Sequence, residues 1–437
     1  MNSRITSYTS RISEYAFIAY FFILSFFPFS ADIIKLLCLL TVIGCWIARM
    51  LVEKKILFAK TPLNIPIISF LLCSMIASFH SVSIKHSLET VLHDYFVYFI
   101  IFFCMVNNIH SRKQIERMVK SMLITCGLVC AYGLYGFYTG IAIRDGRLVA
   151  TFGYHTLISE YISLLLPIAI CLFFWFKDIL TRLYLALLIF ICCFSLILTM
   201  SRASWIAIVI TIFFIGFAVQ RKLLILIFVS VCALLIFILP SKFTTHAKTT
   251  VQIDKFLTSS KIFGERLLCW KASIAMIKDH PILGIGPGER NFRYAYQQYG
   301  KEVKNKELQQ KGMKESSQSN VKKTRIKKIQ RLSNAHNIFL HVWVGTGVVG
   351  LVIFLWLFVL VFYSGIKLLK SLSMEYEKML LIGIMASIIS FFSQGVVHNL
   401  WKKPDAVFLW YIMGILFVVI RNNFPLKKQT NSNMSSG

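Results

Sequence analysis

The chain has 437 residues, of which 57% are hydrophobic and only 15% charged, with 38 phenylalanines. A soluble globular protein is nearer about 45–50% apolar and about 25% charged, so an ordinary soluble domain is excluded and most of this sequence has lipid for a solvent. The formal net charge of +28 would suggest nucleic acid in a soluble protein; here the basic residues are sorted by loop, and no nucleic-acid partner is expected.

In chain order, apolar runs long enough to cross about 30 Å of hydrocarbon predict spans at 15–30, 33–52, 63–80, 88–107, 118–140, 157–176, 181–199, 202–219, 223–240, 337–364, 378–398 and 406–421. The first follows Arg4 and Arg11, as in a signal peptide. Phe29–Ala31 is poorly suited to cleavage, however, and a second run follows at once, so the segment is read as a retained span. The polar stretch Thr199–Ser204 divides 181–219 into two helices with a turn. The expected architecture is an all-α integral membrane protein of about 12 transmembrane helices. Residues 1–240 form helices 1–9, 241–335 a large extracytoplasmic loop containing short helices, 336–421 helices 10–12, and 422–437 a cytoplasmic tail.

Orientation follows from Lys and Arg in the short loops. With the N-terminus in the cytoplasm, that side collects 20 basic residues against 7 opposite. Both termini are then cytoplasmic and the 241–335 loop faces outward, which in a Gram-negative inner membrane is the periplasm. That loop holds 20 Lys/Arg against 7 Asp/Glu, which long loops tolerate. Residues 301–331 are Lys-rich and nearly free of aromatics, the composition of a disordered spacer. Residues 262–296 differ: an amphipathic helix from Glu265 to Lys278, with Leu267, Leu268, Trp270, Ile274 and Ile277 on its apolar side, runs into His280-Pro281 and a Gly284–Gly288 turn. Ten of the 11 cysteines lie inside apolar runs, where a thiol packs as a small hydrophobe. No redox or metal spacing is present.

Polar groups gather at the extracytoplasmic ends of the spans. Arg202 opens a span within Ser201-Arg202-Ala203-Ser204-Trp205, where a charge can also serve as a snorkelling anchor. Arg266 lies on the loop helix and Arg147 in Arg144-Asp145-Gly146-Arg147; each is otherwise a solvated loop charge. His336 opens the span after the basic loop, followed by Asn337. Glu160 is an ionisable group within an apolar run, hence a functional candidate or an interfacial partner for an arginine such as Arg147. His398 ends the eleventh span.

The pattern His336-Asn337, nine residues, Gly347, two residues, Gly350 resembles the signature helix of bacterial O-antigen ligases and their wider ligase/polymerase superfamily. Arg147–Gly153, Ser201–Trp205 and Glu265–Gly288 are similar to that superfamily's other motifs, in order, so the resemblance covers roughly residues 140–420. One departure stands out: after Thr151-Phe152-Gly153 the family continues with Asn and Pro, whereas this chain has Tyr154-His155.

The resemblance implies a metal-independent, inverting glycosyltransferase that moves a glycan from undecaprenyl pyrophosphate to a sugar hydroxyl of lipid A-core in the membrane. It needs no cofactor. His336 would be the general base, near neutrality when unperturbed. Arg202, Arg266 and Arg147 would bind the pyrophosphate, since arginine grips phosphate oxygens bidentately. Asn337 and Glu160 would support them. No Asp-x-Asp pair stands in the loops, in keeping with the implied metal-free site. The alternatives are an O-antigen polymerase of the same superfamily and a lipid-linked sugar transporter; the latter lacks an internal repeat here.

Overall fold

A computed structural model describes residues 2–219, 261–310, 332–372 and 375–423. Apolar runs without β-branched alternation give helices: α1 (Asn2–Phe26), α2 (Asp32–Glu53), α3 (Asn64–Phe79), α4 (Ile84–Thr90), α5 (Phe96–Asn108), α6 (Arg112–Thr139), α7 (His155–Trp175), α8 (Ile179–Leu198), α9 (Arg202–Ala218), α10 (Lys261–Asp279), α11 (Glu289–Gln310), α12 (Ile338–Ser371), α13 (Glu375–Gly395) and α14 (Asp405–Asn423). A π-helical turn, Val91–Tyr95, joins α4 to α5. Eight helical segments among the described residues are long and apolar enough to span a bilayer, with two shorter apolar helices, α3 and α9. The expected span at 223–240 lies outside the described residues.

Burial sorts these helices by what surrounds them. In α14, residues Asp405 to Val419 are buried without interruption. A helix apolar on all faces belongs at the centre of a bundle, and α14 packs there against α5, α7 and α13. By contrast α8 turns Leu180, Leu183, Leu187 and Phe190 outward, the face expected toward lipid. Between them, α13 packs along α7 and α9, and α12 along α3.

The part of the loop expected to fold does so, and its anchorage explains Gly347 of the signature helix. Helix α12 is broken at Gly347, whose φ of 69° and ψ of −173° are not helical. The break frees backbone groups that the loop then satisfies: Ile285 N–H donates to the Val344 carbonyl (2.8 Å) and Val348 N–H to the Pro281 carbonyl (2.9 Å). Contact is so close that a Cβ at Gly347 would collide with the Ile282 carbonyl, and one at Gly284 would stand 2.7 Å from the Gly347 nitrogen. Only glycine fits both the positive φ and the approach. The loop is thus stitched into a transmembrane helix.

Two expectations need correction. On α10 the buried side is Cys269, Ala272, Ser273, Met276 and Ile277, while Leu267 and Ile274 are 40% and 47% exposed. The helix carries two apolar stripes, and the one with small residues allows the closer packing. Residues 301–310, expected within a disordered spacer, continue α11; residues 311–331 lie outside the described residues. The all-α expectation holds, with one short hairpin among the described residues, Ile143–Arg144 paired antiparallel with Arg147–Leu148. Asp145 and Gly146 turn it with φ of 52° and 72°, as Asp-Gly does in two-residue hairpins. Finally, the thiols of Cys126, Cys130 and Cys192 gather within 4.8 Å of one another in the core, a cluster that only helix packing reveals.

Candidate functional site

His336 sits half-buried between the loop and α12 with a left-handed φ of 48°. For a residue with a side chain this costs on the order of 1 kcal/mol or more and persists only where the surroundings hold it. They do so from both sides. Its N–H donates to Asn334 Oδ1 at 3.0 Å, and Asn334 Nδ2 donates to Glu289 Oε1 at 3.0 Å. Next, Asn337 caps α12, accepting from Leu340 N–H at 2.9 Å, and ties it to the turn after α13 by donating to the Val396 carbonyl at 2.8 Å. Asn337 therefore fixes the backbone that aims the histidine. Burial first, then the charges of Arg266 and Lys402, push the His336 imidazole down to about 4, so it is neutral at physiological pH.

The three arginines come together in a row that leads to this imidazole. Arg147 lies within electrostatic reach of Arg202, Arg202 of Arg266, and Arg266 of His336. Burial and Arg202 lower the Arg266 guanidinium from its ordinary range; it stays charged, in a cationic field that an anion would relieve. Among the described residues neither Arg147 nor Arg266 pairs with a carboxylate. Arg147 instead contacts His155 Nε2 at 2.9 Å, and Arg144 stacks on Tyr154 at 4.4 Å. The two residues that depart from the family pattern are therefore the ones that hold the hairpin and present Arg147.

Beside Arg202 lies a buried hydroxyl cluster. Ser204 Oγ is 2.9 Å from Ser201 Oγ, 2.8 Å from Ser159 Oγ and 2.7 Å from Gln394 Oε1. All four side chains are buried, and they lock α7, α9 and α13 together directly beside Arg202. Trp205 completes the motif by donating its Nε1–H to the Leu196 carbonyl at 3.2 Å.

Glu160 is not paired with Arg147. Arg147 is held at His155, and five residues of helix place Glu160 on a different face of α7. Its partner is His398, whose Nδ1 stands 3.3 Å from Glu160 Oε1. His398 lies within reach of Arg266 and His336; burial first, then these charges, hold its imidazole well below the usual range. Lys402 completes the surroundings: burial opposes its charge, but Glu289, Asp405 and Glu160 outweigh that and hold the ammonium above its ordinary range. Glu289, Lys402 and Asp405 went unnoticed in the sequence. Glu289 was visible only as an acid following the glycine turn, and Asp405 only as an acid opening the last helix.

These features define a helical membrane protein whose cationic groups and one strained, neutral histidine converge at one end of the bundle. Residues 186–355 match the family model described as O-antigen ligase, a span that takes in Arg202, Arg266, His336 and both signature glycines. No curated protein matches the chain.

Proposed function

We propose that this protein is an O-antigen ligase, transferring a glycan from undecaprenyl pyrophosphate to a sugar hydroxyl of lipid A-core at the periplasmic face of the inner membrane. The chain would cross about 12 times with both termini cytoplasmic, residues 1–240 and 336–421 forming the membrane bundle, 241–335 the periplasmic loop and 422–437 a tail. The observation that carries the reading is the row Arg147, Arg202, Arg266 ending on a neutral, conformationally held His336.

In this mechanism the pyrophosphate lies along the arginines, its lipid tail against the apolar helices. The acceptor hydroxyl attacks the anomeric carbon from the face opposite the phosphate, its proton passing to His336. The carbon–oxygen bond to phosphate breaks, the electron pair leaves on the diphosphate, and the new glycosidic bond has inverted configuration. Arginine suits a leaving group that gains charge as it departs. An imidazole whose conjugate acid has a pKa near 4 is a weak base on its own. A bound diphosphate beside Arg266 offsets the cationic field, so the histidine becomes more basic when substrate is present. Asn337 holds the imidazole's backbone, and Glu160 acts through His398.

The test is lipopolysaccharide profiling on gels of a deletion strain complemented with wild type or His336→Ala. The expected result is lipid A-core alone in the deletion, long glycan retained on the undecaprenyl carrier, rescue by wild type and none by His336→Ala. Single-repeat glycan still reaching lipid A-core in the deletion would replace the ligase with a polymerase.

A further inference from the structure

A transferase needs a place for a second substrate beside its base. A separate open cavity of about 1010 Å³ lies at the same end of the bundle, between α4 and its π-helical turn, the start of α7, the start of α11, and Lys402–Lys403. None of Arg147, Arg202 and Arg266 lines it. Two of its wall residues, Glu289 and Lys402, are also electrostatic neighbours of His336. Glu289 reaches the histidine's backbone through Asn334 as described above. The cavity and the arginine row thus meet at one imidazole.

The wall chemistry identifies what would fit. Six of its charges pair across different elements, Glu89 with Arg290 at 3.1 Å, Asp94 with Lys403 at 3.1 Å and Glu289 with Lys402 at 3.9 Å, and Arg293 adds one further cation to the wall. Such a surface offers fixed donors and acceptors side by side with little net charge. Sugar hydroxyls, each both donor and acceptor, are satisfied by that alternation; a phosphate would have to face the three carboxylates. The rings of Tyr154 and Phe29, 50% and 59% exposed, line the same cavity and supply apolar faces for sugar rings. The volume matches or exceeds the roughly 300–1,000 Å³ of small-molecule sites, which leaves room for more than one sugar ring.

We infer that this cavity is the acceptor subsite, binding a neutral, hydroxyl-bearing saccharide end so that one hydroxyl reaches His336 past Glu289. The inference rests on the transferase reading above. It is tested in proteoliposomes carrying the full-length protein, with undecaprenyl pyrophosphate-linked glycan as donor and lipid A-core as acceptor, each varied at saturating concentrations of the other. The variants are the double change Glu89→Gln with Asp94→Asn, and Phe29→Ala, which keeps the inference testable if the double variant fails to accumulate. The expected result is an acceptor KM raised about tenfold or more with donor KM within about twofold of wild type. A raised donor KM, or no change in acceptor KM, overturns the inference. Wild type that lengthens carrier-linked glycan in place of capping lipid A-core defeats the ligase reading instead, and the cavity then stands or falls on the KM of that glycan as acceptor.

Discussion

At the end of the bundle away from His336, arginines are structural. Arg421 donates to the carbonyls of Val106 and Ile109, Arg49 to the Asn107 carbonyl with His110 and Glu53 alongside, and Arg117 forks onto Glu14. Each guanidinium there closes a helix end or an ion pair. At the His336 end, Arg147, Arg202 and Arg266 stand within reach of one another, backed by serines and histidines. Cations crowded together destabilise a fold, and the cost is tolerated where an anion is to be bound. The same residue type thus serves packing at one end and, in the proposed mechanism, ligand binding at the other, and the comparison can be broken experimentally.

The largest effect is expected for His336→Ala, a loss of about 10²–10⁴-fold in turnover, the usual contribution of a general base, with unfolding in detergent little changed. Arg266→Lys keeps charge but loses the bidentate fork, and about 10²–10³-fold in turnover should go with it. Arg421→Lys should do the reverse, lowering stability by about 1–3 kcal/mol while a folded sample keeps its rate. Equal rate losses from both arginine changes would erase the contrast between the two ends. Gly347→Ala should cost more than about 1 kcal/mol through its positive φ and release the loop, read as faster proteolysis within 261–310 and lower activity together.

The smallest effect is in the pH profile. With the imidazole of His336 pushed down to about 4, kcat/KM of the free enzyme should stay level from pH 8 to about 5 and fall only as the pH approaches 4. Because the native pKa lies below the unfolded value near 6.5, this group favours folding above about 6.5. That contribution shrinks as the pH falls through the window down to 4. A kcat/KM that halves near pH 6.5 would show an unperturbed histidine and remove the cationic field from the description.

Much of this was legible before any coordinates. Hydrophobic runs located the described apolar helices to within a few residues except where polar turns extended them, as in α12. The amphipathic pattern of Glu265–Lys278 marked α10 and three of its packed residues, Leu268, Trp270 and Ile277, but not that Leu267 and Ile274 stay exposed, because these are as apolar as the residues that are buried. Signature spacing pointed to His336 and to Gly347, yet spacing alone does not say that Gly347 breaks a helix to admit a loop. Contacts such as Glu160 with His398 and Asn334 with Glu289 join residues far apart in sequence, so periodicity carries no trace of them. Asp145-Gly146 carries the signal of a two-residue hairpin turn.

The most direct test of the central claim uses purified wild type and His336→Ala in proteoliposomes with undecaprenyl pyrophosphate-linked glycan and lipid A-core, in the presence of a chelator. Wild type should form glycosylated lipid A-core with inverted anomeric configuration, while the variant, folded and still binding donor, forms at least about 100-fold less. Transfer by His336→Ala at the wild-type rate, or product with retained configuration, would contradict a single-displacement reaction based on this histidine.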